Sequence, residues 1–185
     1  AGGCAAPAQG SDGSGFALLK SLGHRITQLY PSLVQLTSPD KRIRSLKGVR
    51  VHDAVIAIDS KKSRGEILFT DYGLSGIATM EISAIAARKC KNGSTVLAQL
   101  DLLPSMNENE IVDFLSGFSV KCENMLNGLL PKAVALTVLR DAEIDISLSS
   151  NKLSRKALFD IAKSIKCFNV TINGTKGFDS AQVTS

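Results

Sequence analysis

The sequence predicts an α+β fold, in which a small barrel-like β-sheet carries an inserted small helical bundle. Two patterns lead to this prediction. Residues 26–103 mostly alternate apolar and polar side chains, as strands do, whereas residues 104–166 place apolar side chains at helical spacing. Phe168 to Ile172 then alternates again, so the helical stretch lies between two β-rich parts of the chain.

Composition limits the classes of function. The chain has 185 residues, of which 44% are apolar, enough for a buried core in one domain or two small ones. The net charge of +5 is spread along the sequence and requires no acidic partner. Only 5% of residues are aromatic and there is no Trp, so few side chains are available for stacking on nucleic acid bases.

Targeting and redox signals are weak. No apolar run approaches the ~20 residues of a membrane span, and no signal peptide pattern is visible, so we expect a cytoplasmic protein without a membrane segment. The four cysteines are scattered and form no CxxC motif, which predicts free thiols and no metal site.

The N-terminal region predicts a flexible, glycine-rich tail followed by a helix from Phe16 to Leu22, which Gly23 ends. A glycine-rich run from Gly10 to Gly15 opens this helix. It lacks the GxGxxG order, the Walker lysine and a preceding apolar strand, so we predict no phosphate-binding loop here.

The next region predicts strands. Leu33–Leu36 is a short strand, and Ser38–Gly48 is a polar, basic loop. Val49–Asp59 is a long strand, Lys61–Arg64 makes a charged turn, and Gly65–Phe69 returns as the second strand of a hairpin.

A small-residue turn from Thr70 to Gly76 connects this hairpin to a helix predicted from Ile77 to Arg88. Such a turn aims free N–H groups at whatever lies ahead of it, and can hold a carboxylate, a carbonyl or a cofactor edge. The same spacing also fits a plain strand-to-helix connection. Asp71 and Tyr72 are its best polar candidates for a pocket.

The remaining chain predicts one more strand and four helices. Asn92-Gly93 is a turn signal, and Ser94–Leu103 is a strand that Pro104 closes. The helices are marked by a capping-box-like start at Asn107 and Glu110 with an apolar face to Phe118, by Met125–Leu130, by Lys132–Arg140, and by Leu158–Ile165 after an N-cap at Ser154.

Few residues suggest catalysis on their own. His24 and His52 have no evident Ser or Asp partner, so no catalytic residue is assigned. A basic face, or simply a set of solvated basic loops, is formed by Lys41, Arg42, Arg44, Lys47, Arg50, Lys61, Lys62 and Arg64.

Several segments together resemble one family. They are Ala1-Gly2-Gly3, Gly10 to Phe16, Ser21 to His24, Leu29 to Val34, Leu36-Thr37, Gly65 to Thr70, Tyr72 to Gly76, Leu102-Leu103-Pro104, Gly128 to Lys132, Thr175 to Phe178 and Ala181 to Thr184. In this order they resemble the YhiN/BaiN-like flavoproteins, a family that includes aminoacetone oxidases and bile-acid reductases.

The resemblance implies an FAD-dependent oxidoreductase, with NAD(P)H as a candidate donor, whose split Rossmann-type domain carries the barrel and bundle as an insert. On this basis residues 1–25 and 176–185 are flanks of the flavin domain, residues 26–103 with 167–175 are the barrel, and residues 104–166 are the bundle. The implied partners are the remainder of the flavin domain and a small-molecule substrate. The chain alone is expected to be inactive.

The resemblance also implies site residues. Those near the flavin are Gly2, Gly3, Gly10 and Ser11 on one side, and Ala181, Gln182, Val183 and Thr184 on the other. The substrate pocket is implied at Thr70, Asp71, Tyr72, Gly73, Leu74, Ser75 and Gly76. Asp71 stands where a His is common and Ile77 where a Pro is common, so no proton-transfer role is assigned to Asp71.

Two other classes of function remain open. A stand-alone basic β-barrel would bind nucleic acid or an acidic partner, although the scarcity of aromatic residues argues against nucleic acid. A structural insert would self-associate and bind no ligand.

Overall fold

The structure, a computed structural model, describes residues 2–185, so Ala1 of the resemblance lies outside the described residues. The strands are β1 (Pro31–Ser32), β2 (Leu36–Thr37), β3 (Arg50–Ile58), β4 (Lys61–Phe69), β5 (Gly73–Ser75), β6 (Val96–Asp101), β7 (Phe168–Ile172), β8 (Gly174–Thr175) and β9 (Val183–Thr184). The helices are α1 (Ser14–Ser21), α2 (Lys41–Ser45), α3 (Ile77–Lys89), α4 (Glu108–Ser116), α5 (Lys132–Asp141) and α6 (Arg155–Lys166). The α+β prediction is confirmed.

The main sheet closes into a barrel. Its seven antiparallel strands have the order β7-β6-β3-β4-β5-β2-β8. The two strands at the ends of this order, β7 and β8, are separated in sequence by Asn173 alone, whose amide donates to the carbonyl of Thr37 at 3.0 Å. One continuous stretch therefore pairs with β6 through its first half and with β2 through its second half. Closure of this kind removes the exposed sheet edges that invite aggregation.

One hydrophobic core runs through the barrel and the bundle. It extends from Ile56 and Phe168 in the barrel to Ile111 and Ile161 in the bundle. Helix α3 packs against β1, β3, β4 and β8. The face that it buries includes the small residues Ala78, Ser83 and Ala86. Helix α6 packs against both α4 and α5. No helix in residues 2–185 combines the length and the apolar character needed to cross a bilayer.

The predicted helix starts in the bundle are confirmed. Asn107 accepts from the amide of Glu110 at 3.0 Å, and the Glu110 carboxylate accepts from the amide of Asn107 at 2.7 Å, which completes a capping box. Ser154 caps α6 by accepting from the amide of Ala157. These side chains satisfy first-turn amides that have no partner inside the helix.

The predicted hairpin turn at Lys61–Arg64 is wrong, because these residues belong to β4. The chain reverses at Asp59 and Ser60, between β3 and β4. Asp59 has a φ of 52°, and Asp is among the residues that tolerate the positive φ of a two-residue hairpin. The charged residues therefore lie along an exposed strand end.

Two other local predictions differ from the structure. The predicted loop Ser38–Gly48 contains α2, because Asp40 accepts from the amide of Arg42 at 2.9 Å and caps a short helix. The predicted strand Leu33–Leu36 is interrupted, because Leu33 adopts a φ of 49°, which no strand residue has.

The predicted helix Met125–Leu130 is also absent. A short 3₁₀ turn at Cys122–Asn124 is followed by turns instead. Gly128 has a φ of 84°, which ends any helical path before Pro131. The apolar side chains of Met125, Leu126 and Leu130 are nevertheless buried, so the helical spacing reported burial rather than helix.

Two basic residues fasten the barrel to the bundle. Arg42 pairs with Asp40 and with Asp141 of α5, donates to the carbonyl of Asn169 at 2.7 Å, and lies 5.0 Å from the ring centre of Phe168. Lys166 forms a second link at the end of α6. It pairs with the Asp101 carboxylate of β6 at 2.7 Å. It also donates to the carbonyls of Leu103 and Met106, which follow this strand.

Candidate functional site

The two ends of the described chain meet. We call this contact between Gly2–Ala6 and Phe178–Thr184 the terminal junction. The hydroxyl oxygen of Thr184 accepts hydrogen bonds from the amides of Cys4 and Ala5, at 2.8 and 3.0 Å. The amide of Ala6 donates to the carbonyl of Phe178 at 3.1 Å. The junction is therefore held mainly by backbone amides, two of which donate to the same Thr184 hydroxyl.

Close approach at the junction requires glycine. A Cβ on Gly3 would lie 2.5 Å from the Thr184 hydroxyl, and a Cβ on Gly2 would overlap the hydroxyl of Ser11. Gly10 has a φ of 93° with open space where a Cβ would stand. The structure thus brings Gly2, Gly3, Ser11 and Thr184 together from both of the predicted cofactor segments.

The other predicted cofactor residues anchor the junction to the barrel. Ala181 is buried in a small cluster with Ala5 and Val34, separate from the main core. The amide of Gln182 donates to the carbonyl of Leu33 at 3.3 Å, and Val183 pairs with Ser32 in the β1–β9 ladder. The segment 182–183 therefore contacts both Leu33, whose φ is 49°, and Ser32 before it.

Helix α1 follows the junction and buries none of its residues. Leu18 and Leu22 are 63% and 68% exposed, and Leu19 is 42% exposed. Isolated exposed leucines are common on protein surfaces, but two in α1 and a third directly after its end form an apolar face without cover.

The predicted pocket segment is part barrel wall and part exposed turn. We call Thr70–Gly76 the central loop. The amide and the hydroxyl of Thr70 both donate to the carbonyl of Gly73, each at 2.9 Å. Gly73 and Leu74 are buried in β5, which pairs with β2 and β4. The predicted direct connection from strand to helix thus contains a further short strand.

Packing explains both glycines of the central loop. A Cβ on Gly73 would overlap the carbonyl oxygen of Leu36, and a Cβ on Gly76 would overlap that of Glu66. Five surface cavities of about 110–340 Å³ in residues 2–185 are all lined by other segments. The central loop lines none of these five cavities.

The outward side of the central loop is polar. The ammonium of Lys47 lies 2.7 Å from the Asp71 carboxylate, and its hydrogen bond holds the pKa of that carboxyl below the usual range. Arg44 Nε donates to the carbonyl of Asp71 at 3.3 Å. The ammonium of Lys176 lies 4.9 Å from the ring centre of Tyr72. Nothing in the sequence pattern signalled that Lys176 joins this group.

Helix α3 links the central loop to the terminal junction. It begins directly after Gly76, and its buried Ser83 accepts from the amide of Val34 at 3.2 Å. Val34 contributes to the small buried cluster at the junction. The two predicted site regions are thus attached to one rigid helix.

The basic face suggested by the sequence is neutralised in part. Arg50 pairs with Glu66 at 3.0 Å, and Arg64 makes a bidentate pair with Asp53 at 2.8 Å. Arg42 is committed to Asp40 and Asp141, as described above. Much of this charge is therefore unavailable to a polyanion.

The remaining candidates show no reactive arrangement. The His52 side chain is 84% exposed and stands 3.6 Å from Glu66. Within residues 2–185, the cysteines form no disulfide, and no group of three potential metal ligands comes together.

A closed β-barrel joined to a helical bundle defines the class of domain, and the comparison with known families agrees. The model of the HI0933-like protein barrel and H2TH domain matches residues 30–183. The chain belongs to this family, which confirms the resemblance to the YhiN/BaiN-like proteins.

Three curated relatives are similar over nearly the whole chain. The 3-dehydro-bile acid delta(4,6)-reductase of Clostridium scindens is 31% identical over 98% of this chain and 47% of its own length. Ribosomal RNA dihydrouridine synthases of Haemophilus influenzae and Escherichia coli are 27% and 28% identical, each over 99% of this chain and 45% of their own length. The chain thus spans about half the length of these relatives.

Proposed function

We propose that this chain is the substrate-side domain of a longer FAD-dependent oxidoreductase, in which it caps the flavin and shapes the pocket above it. The observation that carries the proposal is the terminal junction. Two segments about 180 residues apart in sequence, which the family resemblance assigns to opposite sides of the flavin, are joined there by the Thr184 hydroxyl.

The residues at the junction suit a flavin nucleotide. Gly2 and Gly3 lie against the hydroxyl groups of Ser11 and Thr184, and Gly10 has open space beside it. Small side chains and backbone amides are what close approach to a dinucleotide requires. FAD would supply the redox chemistry when bound, while this chain orients the substrate and limits access of water.

The remainder of the flavin domain is the proposed partner of α1. The leucines of α1 find no cover in the described residues, and the curated relatives are about twice as long as this chain. A second layer of protein over α1 would bury this face. The chain alone is then inactive, and the longer protein uses NAD(P)H as donor and lies in the cytoplasm.

The substrate is proposed to be a small molecule that meets the central loop. The relatives offer two precedents, a bile-acid reductase and ribosomal RNA dihydrouridine synthases. The barrel face of Arg50 and Arg64 argues against RNA on that side, because carboxylates neutralise both guanidiniums. An RNA-binding barrel is kept as the second candidate because two relatives carry an RNA-directed name.

The test is the visible absorbance spectrum of the longer protein, purified beside this chain. A flavin spectrum in the long form only is expected. Gly3→Ala in the long form should reduce bound flavin, because the added methyl displaces Thr184. The matched control is Gly117→Ala, whose new Cβ would meet only ordinary contact at 3.6 Å. A colourless long form after incubation with FAD would contradict the flavoprotein proposal.

A further inference from the structure

Three basic side chains contact Asp71 or Tyr72 at the rim of the barrel. We call Arg44, Lys47 and Lys176, with Asp71 and Tyr72 between them, the cationic rim. The Lys47 ammonium lies 2.7 Å from the Asp71 carboxylate, Arg44 donates to the Asp71 backbone carbonyl at 3.3 Å, and Lys176 lies 4.9 Å from the ring centre of Tyr72. The ion pair of Lys47 with Asp71 is exposed, with 66% and 51% of the two side chains accessible.

The donors of the rim are not used up by the protein. The only side-chain hydrogen bond that Arg44 makes with residues 2–185 comes from Nε, so both terminal nitrogens of this exposed guanidinium have no partner there. Lys176 has no carboxylate partner among residues 2–185. A guanidinium with two open nitrogens matches the geometry of a carboxylate or a phosphate.

The contrast with the neighbouring barrel face is informative. On β3 and β4 each guanidinium meets a carboxylate one to one, as Arg50 does with Glu66 and Arg64 does with Asp53. At the rim the single carboxylate, that of Asp71, pairs with Lys47, and Arg44 and Lys176 form no ion pair with residues 2–185. The rim therefore keeps an excess of positive charge beside an aromatic ring, on the segment that contains the proposed substrate contacts.

We propose that the cationic rim binds an anionic group of the substrate, a carboxylate or a phosphate, with Arg44, Lys47 and Lys176 as donors and Tyr72 as a platform for its apolar body. The inference rests on the proposed function in one respect: the central loop faces the substrate. Asp71 holds Lys47 in place and competes with the incoming anion for it. The substrates named for the relatives, a bile acid and ribosomal RNA, both carry such groups.

Tyrosine fluorescence provides a local readout, since the chain has no Trp and only two tyrosines. In the Tyr30→Phe background, Tyr72 is the sole emitter. This variant would be titrated with cholate and with cholate methyl ester, which lacks the charge. Anisotropy of a labelled oligouridylate would be followed in parallel, with uridine as the uncharged competitor.

Cholate should change the Tyr72 emission, and the ester should require several-fold higher concentration. Lys47→Gln and Lys176→Gln should each weaken binding of the anion about three- to tenfold. Asp71→Asn should strengthen it, because Lys47 is released from its partner. Lys62→Gln, the same charge change on β4, should have no effect. Binding by cholate alone assigns the carboxylate, and binding by oligouridylate with the same dependence on the variants assigns the phosphate.

Equal binding of acid and ester, loss of affinity on Asp71→Asn, or no binding of either anion would overturn the inference. Both assays use this chain without flavin. A colourless long form would therefore contradict the proposed function without affecting the anion measurement. A long form that binds flavin, combined with ligand binding that does not depend on charge at the rim, would refute this inference only.

Discussion

The Thr184 hydroxyl lies 2.8 Å from the amide of Cys4, although the two residues stand 180 positions apart in the sequence. The same oxygen accepts from Ala5 at 3.0 Å. Together with the hydrogen bond from the Ala6 amide to the Phe178 carbonyl, this hydroxyl joins the two ends of the described chain around the barrel and bundle. Anything that moves this oxygen should disturb both ends together.

Replacement of Thr184 tests this closure. Thr184→Val keeps the shape but removes the acceptor, so two partly buried amides lose their partner, and we expect about 1–3 kcal/mol less stability at the junction. Thr184→Ser keeps the hydroxyl and should cost less. Hydrogen exchange at Cys4 and Ala5 is the measurement, and unchanged protection in Thr184→Val would contradict the assignment.

The glycines of the central loop give a second prediction. Gly73→Ala places a methyl into the carbonyl of Leu36 at a φ of 151°, so we expect a loss of about 3 kcal/mol or more in the free energy of unfolding. Gly48→Ala is the matched control. Its φ is 84° and no atom lies within 4 Å, so only the backbone strain of about 1 kcal/mol remains. Urea unfolding of both variants would measure the difference, and equal losses would show that packing is not the cause.

The sequence predicted periodic elements better than it predicted turns. The long strands and most bundle helices each bury one face, so their apolar side chains recur at a regular period that can be recognised in the sequence. Helix α2 and the reversal at Asp59 depend on one capping carboxylate and one positive φ, which leave no periodic trace. The positive φ of Leu33 could not be predicted, because leucine has no preference for a left-handed backbone.

The candidate site was predictable only in part. Gly2 and Gly3 entered the candidate site through the family resemblance alone, and the structure shows why a side chain would not fit at either position. The cationic rim joins α2, the central loop and the stretch after β8. Lys47 and Lys176 reach Asp71 and Tyr72 because the barrel closes. This tertiary arrangement cannot be predicted from short stretches of sequence.

The link between barrel and bundle yields a third prediction. Arg42 of α2 contacts Asp141 of α5, and its side chain is 38% exposed, so solvent weakens the pair. A double-mutant cycle of Arg42→Met with Asp141→Asn should give a coupling of about 0.5–1 kcal/mol in the free energy of unfolding. A matched cycle of Arg155→Met with Asp113→Asn, whose atoms lie 3.8 Å apart on exposed side chains, should give less. Equal couplings would mean that Arg42 acts through packing on Phe168 rather than through Asp141.

Acid sensitivity is the fourth prediction. The hydrogen bonds from Arg64 hold the pKa of Asp53 below its ordinary value. For Asp40, burial favours the neutral acid, but hydrogen bonds from Arg42 outweigh it and the pKa is again lowered. A carboxyl with a lowered folded pKa contributes stability above its unfolded pKa of about 4, and this contribution disappears as the pH falls through the folded value.

The urea midpoint should therefore fall between about pH 5 and about pH 3. Asp53→Asn should reduce that fall, whereas Asp160→Asn, outside every ion pair of residues 2–185, should preserve it. A fall of the same size in both variants would show that the Arg64 pair does not contribute to the acid response.

The uncovered face of α1 gives the last prediction, which separates the stability of this chain from the assembly of the proposed flavoprotein. Leu18→Glu with Leu22→Glu should change the free energy of unfolding of this chain by no more than about 0.5 kcal/mol, because both side chains are exposed. In the longer protein the two carboxylates would lie at an apolar contact, so bound flavin per chain should drop, measured by absorbance after gel filtration. Leu97→Glu, at a side chain 57% exposed on β6, should leave the flavin content intact. Full flavin in the double variant would mean that α1 faces water in the longer protein as it does here, and the proposed partner surface would have to lie elsewhere.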